Sequence, residues 1–137
     1  MSTKPVAMVA VLLLSIALGG CASLGACRSG ERTLIHDTLY FGTGKPGGGV
    51  VTDDEWTRFV ETIITPRFPQ GLTVSQVSGQ WQGADGTIVR EATHVLTLVH
   101  PDDAVSEDRV VEVARTYKTL FQQEAVMRVS DRVCVSL

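Results

Sequence analysis

Two segments of the chain carry apolar residues at helical spacing and predict two amphipathic helices. The first begins at Thr52, which forms a capping-box pattern with Glu55, and ends at Pro66. Its apolar residues recur at i, i+3, i+4, i+7 and i+8: Trp56, Phe59, Val60, Ile63 and Ile64. In the second segment, Ser106 is the predicted N-cap. The apolar face after it holds Val110, Val113, Ala114, Tyr117, Leu120 and Phe121.

Around these helices lie runs of β-prone residues that predict four strands. They cover residues 38–41, 72–77 with a continuation towards 81, 88–100, and 125–129, the last extended or followed by a fifth segment at 133–137. Asp85-Gly86 predicts a hairpin turn between strands two and three. The order is βαββαβ. With right-handed crossovers it predicts an α+β, ferredoxin-like sandwich, in which an antiparallel sheet carries both helices on one face.

Strand three alternates between two kinds of side chain. Leu96 and Leu98 share one face, and the opposite face carries Thr93, Val95, Thr97 and Val99. If the helices cover the leucines, a half-apolar sheet face remains open. Such a face could pair two copies of the chain or line a cleft, so a homodimer through the open sheet face is one expected partnership.

The N-terminus has the order of an export signal. Lys4 precedes an apolar run over residues 6–18, which is shorter than the roughly 20 residues that span a bilayer. Leu18-Gly19-Gly20-Cys21 follows at once and resembles a bacterial lipobox, in which the cysteine is lipidated and the preceding peptide is removed. Cys21 is favoured because it abuts the apolar run, as signal-peptide architecture requires. Residues 24–27 repeat the pattern, so Cys27 is an alternative, and a secretory signal without lipid is another.

These features predict three regions: a signal peptide at 1–20, a lipidated N-terminus and flexible tether at 21–35, and one α+β domain at 36–137. The expected location is the cell envelope, with a lipid in the membrane and the domain facing the periplasm or the exterior. Lipidation of Cys21 would leave Cys27 and Cys134, which an oxidising compartment favours as a disulfide. Two unpaired thiols are the alternative.

Charge and motifs exclude several kinds of function. Removal of residues 1–20 leaves 11 basic and 15 acidic residues, a net charge of −4, which disfavours nucleic acid as a partner. Neither a metal nor a cofactor is predicted, since His94 and His100 lie about 20 Å apart along one strand. The GxGxxG pattern at 42–47 is discounted because the helix begins five residues later with three acidic residues. No catalytic residue is assigned.

Four polar or aromatic residues in strand segments are the candidate ligand-binding residues: Tyr40, Trp81, Glu91 and Arg128. A carboxylate within a mostly apolar sheet needs a cation or a hydroxyl group as its partner. Arg128, on the strand expected beside strand one, is predicted to supply that cation to Glu91. A small periplasmic enzyme that uses Glu91 with Tyr40 or Arg128 is the alternative to a binding function.

Several motifs in order resemble a known family. They are LYFG at 39–42, TPRFPxGLTV at 65–74, GQW at 79–81 and YKxxFxQExV at 117–126. Together they resemble a family of small exported bacterial proteins, often lipoproteins, that is classed as a domain of unknown function. The resemblance covers residues 36–137 and implies no catalytic residues. The overall prediction is an exported, lipid-anchored and non-enzymatic domain that binds a ligand or a protein.

Overall fold

The computed structural model describes residues 27–137, and these residues form a sheet of four antiparallel strands and two helices. The strands are β1 (Arg32–Gly42), β2 (Thr73–Gln82), β3 (Ile88–His100) and β4 (Met127–Val135), and the sheet order is β2-β3-β1-β4. Helix α1 (Asp53–Phe59) continues as a π-helical segment (Val60–Ile64), and α2 spans Ala104–Phe121. The predicted ferredoxin-like βαββαβ fold is confirmed. The predicted signal peptide and Cys21 lie outside the described residues.

The core lies between the helices and one face of the two central strands. Leu39 on β1 pairs with Leu96 on β3, and both side chains are fully buried. The helices and β1 together pack a cluster of aromatic rings against these leucines: Phe41, Trp56, Phe59, Tyr117 and Phe121. Neighbouring ring centroids in this cluster, such as those of Phe41 and Tyr117, lie as close as 4.7 Å. Burial of these apolar side chains is the main stabilising contribution to the fold.

The ends of several elements differ from the prediction. β1 begins at Arg32, so residues 32–35 belong to the sheet rather than to the tether, because they pair with the end of β4. The N-cap of α2 is Asp103, whose carboxylate accepts the backbone N–H of Ser106 at 2.7 Å. β4 is one strand, since it pairs with β1 without interruption. Leu120 is exposed because it lies beside the buried stripe that ends at Phe121.

A disulfide joins Cys27 to Cys134, with Cα atoms 5.4 Å apart. It ties the segment before β1 to the end of β4 across 107 residues of sequence. The predicted pairing of these two cysteines is confirmed. Within the described part of the chain, neither helix is long and apolar enough to cross a membrane.

Candidate ligand-binding groove

A groove of about 1500 Å³ lies at the end of the sheet where β1 stops and the β2–β3 hairpin continues. Four parts of the chain line it: the end of β1, the loop into α1, the projecting hairpin, and the connection from α2 to β4. The loop is a short hairpin of its own, with a bridge between Gly44 and Val50. Because these parts are far apart in sequence, only the folded chain forms the groove.

Glu91 lies in this groove with its carboxylate pressed against glycines. The backbone N–H of Gly44 donates to Oε2 of Glu91 at 3.0 Å. A Cβ atom at Gly42 would lie 2.8 Å from Oε1 of Glu91, and one at Gly44 would lie 3.0 Å from Oε2. Gly79 occupies the cross-strand position opposite Glu91 and adds no side chain there. Two glycines of the discounted GxGxxG pattern, Gly42 and Gly44, therefore make room for a carboxylate.

Aromatic and apolar side chains surround that carboxylate on the face of the sheet away from the helices. Trp81 pairs with Val89, which places its ring diagonally across from Glu91, and the Trp81 side chain is 48% exposed. Tyr40 and Met127 pair with each other at the other side of the groove. The groove therefore combines a fixed carboxylate with flat and apolar surface that is open to solvent.

The loop that carries Gly44 is held in place by several hydrogen bonds. Nε2 of Gln123 donates to the carbonyl oxygen of Gly44 at 2.7 Å, and the Tyr117 hydroxyl donates to that of Gly42 at 2.9 Å. Burial raises the pKa of Tyr117 well above its ordinary value, and the negative charges of Glu91 and Glu55 add to this effect. Tyr117 therefore stays protonated and keeps donating at neutral pH.

The two basic residues that line the groove already have partners. Nζ of Lys45 lies 2.8 and 2.9 Å from the carboxylate oxygens of Glu55, and this contact lowers the pKa of Glu55. Nε of Arg90 donates to Oε1 of Gln80 at 2.8 Å. The Glu55 carboxylate offsets the charge of Lys45, whereas the neutral Gln80 amide orients the Arg90 side chain without reducing its charge.

Arg128 lies on the other side of the sheet from Glu91. It pairs with Leu39, whose side chain faces the helices, whereas Tyr40 is the next residue along β1 and faces away. Successive residues of a strand point to opposite faces. The expectation that Arg128 supplies a cation to Glu91 is therefore corrected: of the four candidate residues, Tyr40, Trp81 and Glu91 line one groove and Arg128 does not.

Arg128 instead belongs to a partly buried ionic network that the sequence reasoning missed. Its Nε and Nη2 atoms donate to the Asp37 carboxylate at 2.9 and 2.7 Å, and its Nη1 and Nη2 atoms donate to Glu107 at 2.6 and 2.7 Å. Nε2 of His100 lies 2.8 Å from Oδ2 of Asp37, which is fully buried. The sequence signal for this network was Asp37, which lies two residues before Leu39 and therefore shares the core face of the strand.

The Asp37 carboxylate is stabilised in its charged form by this network. Burial raises the pKa of Asp37, but hydrogen bonds from Arg128 and His100 together lower it below its ordinary value. A small cavity of about 300 Å³ opens beside His100 and Glu107, at the start of α2. Since Asp37, Arg128 and Glu107 already bond one another, the network is suited to holding β1, β4 and α2 together.

Few side chains of the described residues could hold a metal. Sγ of Cys27, Sγ of Cys134 and a carboxylate oxygen of Glu31 lie within 4.8 Å of one another, but both sulfurs form the disulfide. His94 stacks on Trp56 with ring centroids 4.3 Å apart, and its Nε2 atom is buried without a hydrogen-bond partner. Burial lowers the pKa of His94, with Asp53 acting in the opposite direction. His94 is thus a neutral part of the aromatic core.

Two solved structures of a phage SAM lyase share this fold. The structure in complex with S-methyl-5'-thioadenosine has a TM-score of 0.56 and 11% sequence identity, and covers 85% of this chain and 97% of that chain. The apo structure has a TM-score of 0.52 and 16% identity, with 84% and 97% covered. No curated protein sequence matches this chain. Residues 36–137 match the model of a family described as a protein of unknown function.

Proposed function

The chain belongs to that family, DUF3574, and we propose that its domain binds a small uncharged or cationic molecule in the groove around Glu91. This membership confirms the resemblance to a family of unknown function. The ligand would carry a flat apolar group together with hydroxyl or amine donors. The proposal rests on one observation, the Glu91 carboxylate fixed against Gly42 and Gly44 beside the exposed ring of Trp81.

The geometry of Glu91 suits a ligand that donates hydrogen bonds. One carboxylate oxygen, Oε2, is held by the N–H of Gly44, whereas Oε1 accepts no hydrogen bond from the described residues. A carboxylate already held in position loses little conformational freedom when a ligand binds. Hydrogen bonds to a charged acceptor are about twice as strong as those between neutral groups. Glu91 can therefore orient a ligand through one or two hydroxyl or amine groups.

The charges around the groove disfavour an anionic ligand. Asp53, Glu91 and Glu124 line it, and the two lining cations, Lys45 and Arg90, already bond other side chains. A phosphate in this position would meet more negative than positive charge. Placed next to a carboxylate, it would be repelled in the partly desolvated groove. The same surroundings accept a neutral or positively charged molecule.

A nucleoside or a nucleoside thioether fits this chemistry. Trp81 and Tyr40 offer flat surfaces for a base, and Glu91 can accept from ribose hydroxyls, as acidic residues do in dinucleotide-binding folds. The phage SAM lyase with a related fold was solved with S-methyl-5'-thioadenosine, which is a nucleoside thioether. We therefore propose purine nucleosides and their 5'-thioethers as the first ligand class.

Titrations of the full chain test this proposal. Adenosine, S-methyl-5'-thioadenosine and adenosine 5'-monophosphate are added while tryptophan fluorescence is followed, since Trp81 is solvent-exposed in the groove. Both uncharged ligands should bind, and the monophosphate should bind at least about tenfold more weakly. Glu91→Gln should weaken nucleoside binding about tenfold or more, because a charged acceptor is lost. Glu61→Gln, an exposed acid outside the groove, is the matched control.

Two results would overturn the proposed ligand class. One is the absence of nucleoside binding to a folded chain at millimolar ligand. The other is equal affinity of the Glu91→Gln and Glu61→Gln variants, which would show that the carboxylate has no part in binding. Thermal melts of both variants show whether each chain is folded, so a failure to fold is distinguished from a failure to bind.

A small enzyme is the second candidate function. This function is favoured by Oε1 of Glu91, which accepts no hydrogen bond from the described residues and could act as a general base. It is also favoured by Tyr40, whose side chain lines the same groove. Incubation of the chain with SAM, followed by mass spectrometry, tests this alternative directly. Formation of S-methyl-5'-thioadenosine that depends on Glu91 would favour the enzyme, and unchanged SAM would leave the binding function.

We propose that the domain lies in the cell envelope and that a lipid on Cys21 anchors it to the membrane. The sequence of residues 1–21 supports this location. The Cys27–Cys134 disulfide supports it independently, because disulfides persist mainly in oxidising compartments. Since the disulfide occupies Cys27, the favoured lipid site is Cys21.

A further inference from the structure

We propose that a second copy of this chain packs on the open face of the sheet and closes the groove. We define this open face by the side chains that point away from the helices. Five apolar residues on it are between 43% and 57% exposed: Val77, Trp81, Val99, Met127 and Val129. They come from β2, β3 and β4. Their common orientation follows from the pairing register, since residues directly opposite each other share a face.

The centre of the open face carries no charge. Thr38 on β1 pairs with Thr97 on β3 and with Val129 on β4, and Tyr40 pairs with Val95. The charged residues of this face are Arg32, Glu91 and Asp131: the first two lie towards its ends, and Asp131, opposite His36, lies midway along the outer strand β4. Stable interfaces are depleted of charged residues at their centre and enriched in aromatic residues and methionine. The centre of the open face on β1 and β3 has this distribution, and Asp131 adds one charge on the outer strand β4.

The size of the face agrees with a dimer. Four strands of 9 to 13 residues, spaced about 4.8 Å apart, present roughly 700 Å² of sheet. A typical stable interface buries about 800 Å² on each partner. A sheet face with an uncharged centre can pack on a copy of itself, since two sheets pack face to face at a usual spacing of about 10 Å. The occupant that satisfies these conditions without a further assumption is the chain itself.

The groove gives the second copy a role beyond burial of surface. Its volume of about 1500 Å³ exceeds the roughly 300–1,000 Å³ typical of small-molecule sites. Val77, Trp81 and Met127 belong both to the groove and to the open face, and are still exposed. A copy packed on that face would cover these side chains and narrow the groove. The ligand site of the proposed function would then be complete only in the dimer.

Charged substitutions in the full chain test the dimer. Val99→Arg and Val129→Arg each place a charge on the open face, and neither residue lines the groove. Val111→Arg and Leu120→Arg are matched controls, because these apolar residues of α2 are similarly exposed but lie away from the sheet. The chains are purified in detergent, and their protein mass is measured by light scattering with absorbance. Circular dichroism checks that each variant is folded.

The parent chain and both α2 variants should have the mass of two chains, and both open-face variants should have the mass of one. A single-chain mass for the parent at 100 μM, or an unchanged mass for the folded open-face variants, would overturn the dimer. Nucleoside affinity should fall at least about tenfold in the open-face variants. Monomeric variants that bind with parental affinity would refute closure of the groove while leaving the proposed ligand in place.

Discussion

Replacement of Asp37 by asparagine probes the buried network between β1, β4 and α2. The carboxylate is fully buried and accepts two hydrogen bonds from Arg128, and Nε2 of His100 lies 2.8 Å from it. Asparagine has nearly the same shape, so the substitution leaves no cavity. It removes the negative charge and turns one acceptor oxygen into an NH₂ donor that faces other donors. The change therefore isolates the electrostatic part of the network.

The expected loss of stability is about 3 kcal/mol. Removal of one partner of a buried ion pair typically costs 3–5 kcal/mol, because the other charge is left uncompensated. The lower end applies here, since the Arg128 side chain is 23% exposed and keeps its contacts with Glu107. For a domain of this size the urea slope is about 1.5 kcal/mol per molar, so the unfolding midpoint should fall by about 2 M.

The loss should also depend on pH in a defined direction. The pKa of Asp37 is lowered in the folded state relative to an ordinary value of 3.8, which applies to the unfolded chain. A group of this kind stabilises the fold fully above its unfolded pKa, and the contribution disappears as pH falls through the folded pKa. The difference between the parent chain and Asp37→Asn should therefore be constant near neutrality and shrink below about pH 4.

Urea unfolding of the full chain at pH 7 and at pH 3, followed by circular dichroism, measures both effects. Asp102→Asn is the matched control, because Asp102 forms an ion pair with Arg132 in which both side chains are more than half exposed. Exposed pairs contribute little, so this variant should unfold close to the parent chain. A loss below about 1 kcal/mol for Asp37→Asn, or a loss equally large at both pH values, would refute this account of the network.

Two further predictions concern the cysteines. Mass spectrometry of tryptic peptides without reduction should find Cys27 linked to Cys134. Reduction of this disulfide should lower the free energy of unfolding by at most about 4–5 kcal/mol, the chain-entropy value for a loop of this length. Two freely alkylated thiols in native material would contradict the disulfide. Cys21→Ser should abolish lipid labelling and release the chain from the membrane, whereas Cys27→Ser should stay bound. Loss of labelling in Cys27→Ser alone would show that Cys21 is not the lipid site.

Much of the fold could be read from local patterns in the sequence. The capping box at Thr52 and the apolar spacing from Trp56 to Ile64 marked the first helix, and the structure contains both. The predicted bounds of the third strand, 88–100, agree with β3. These features depend on neighbouring residues, on helix or strand periodicity and on turn chemistry. The order of elements then limited the topology, because crossovers are right-handed.

The candidate site could be predicted only in part, because it depends on which side of the sheet each residue faces. The sequence identified Tyr40, Trp81 and Glu91 as polar or aromatic residues in strands, and these three line one groove. It could not show that Arg128 is opposite Leu39 rather than Tyr40. A shift of one residue in the pairing between β1 and β4 would reverse that outcome, and the register is set by packing between segments about 90 residues apart.

The sequence by itself therefore determined the type and order of the elements and favoured the pairing of the two cysteines, since these follow from short-range periodicity, chain topology and compartment chemistry. Only the tertiary structure decided that Gly42 and Gly44 make room for the Glu91 carboxylate, and that Asp37 is buried with Arg128. Both arrangements join residues that are distant in sequence. Their free energies depend on distance, burial and hydrogen-bond geometry, which exist only once the strands have paired and the helices have packed on them.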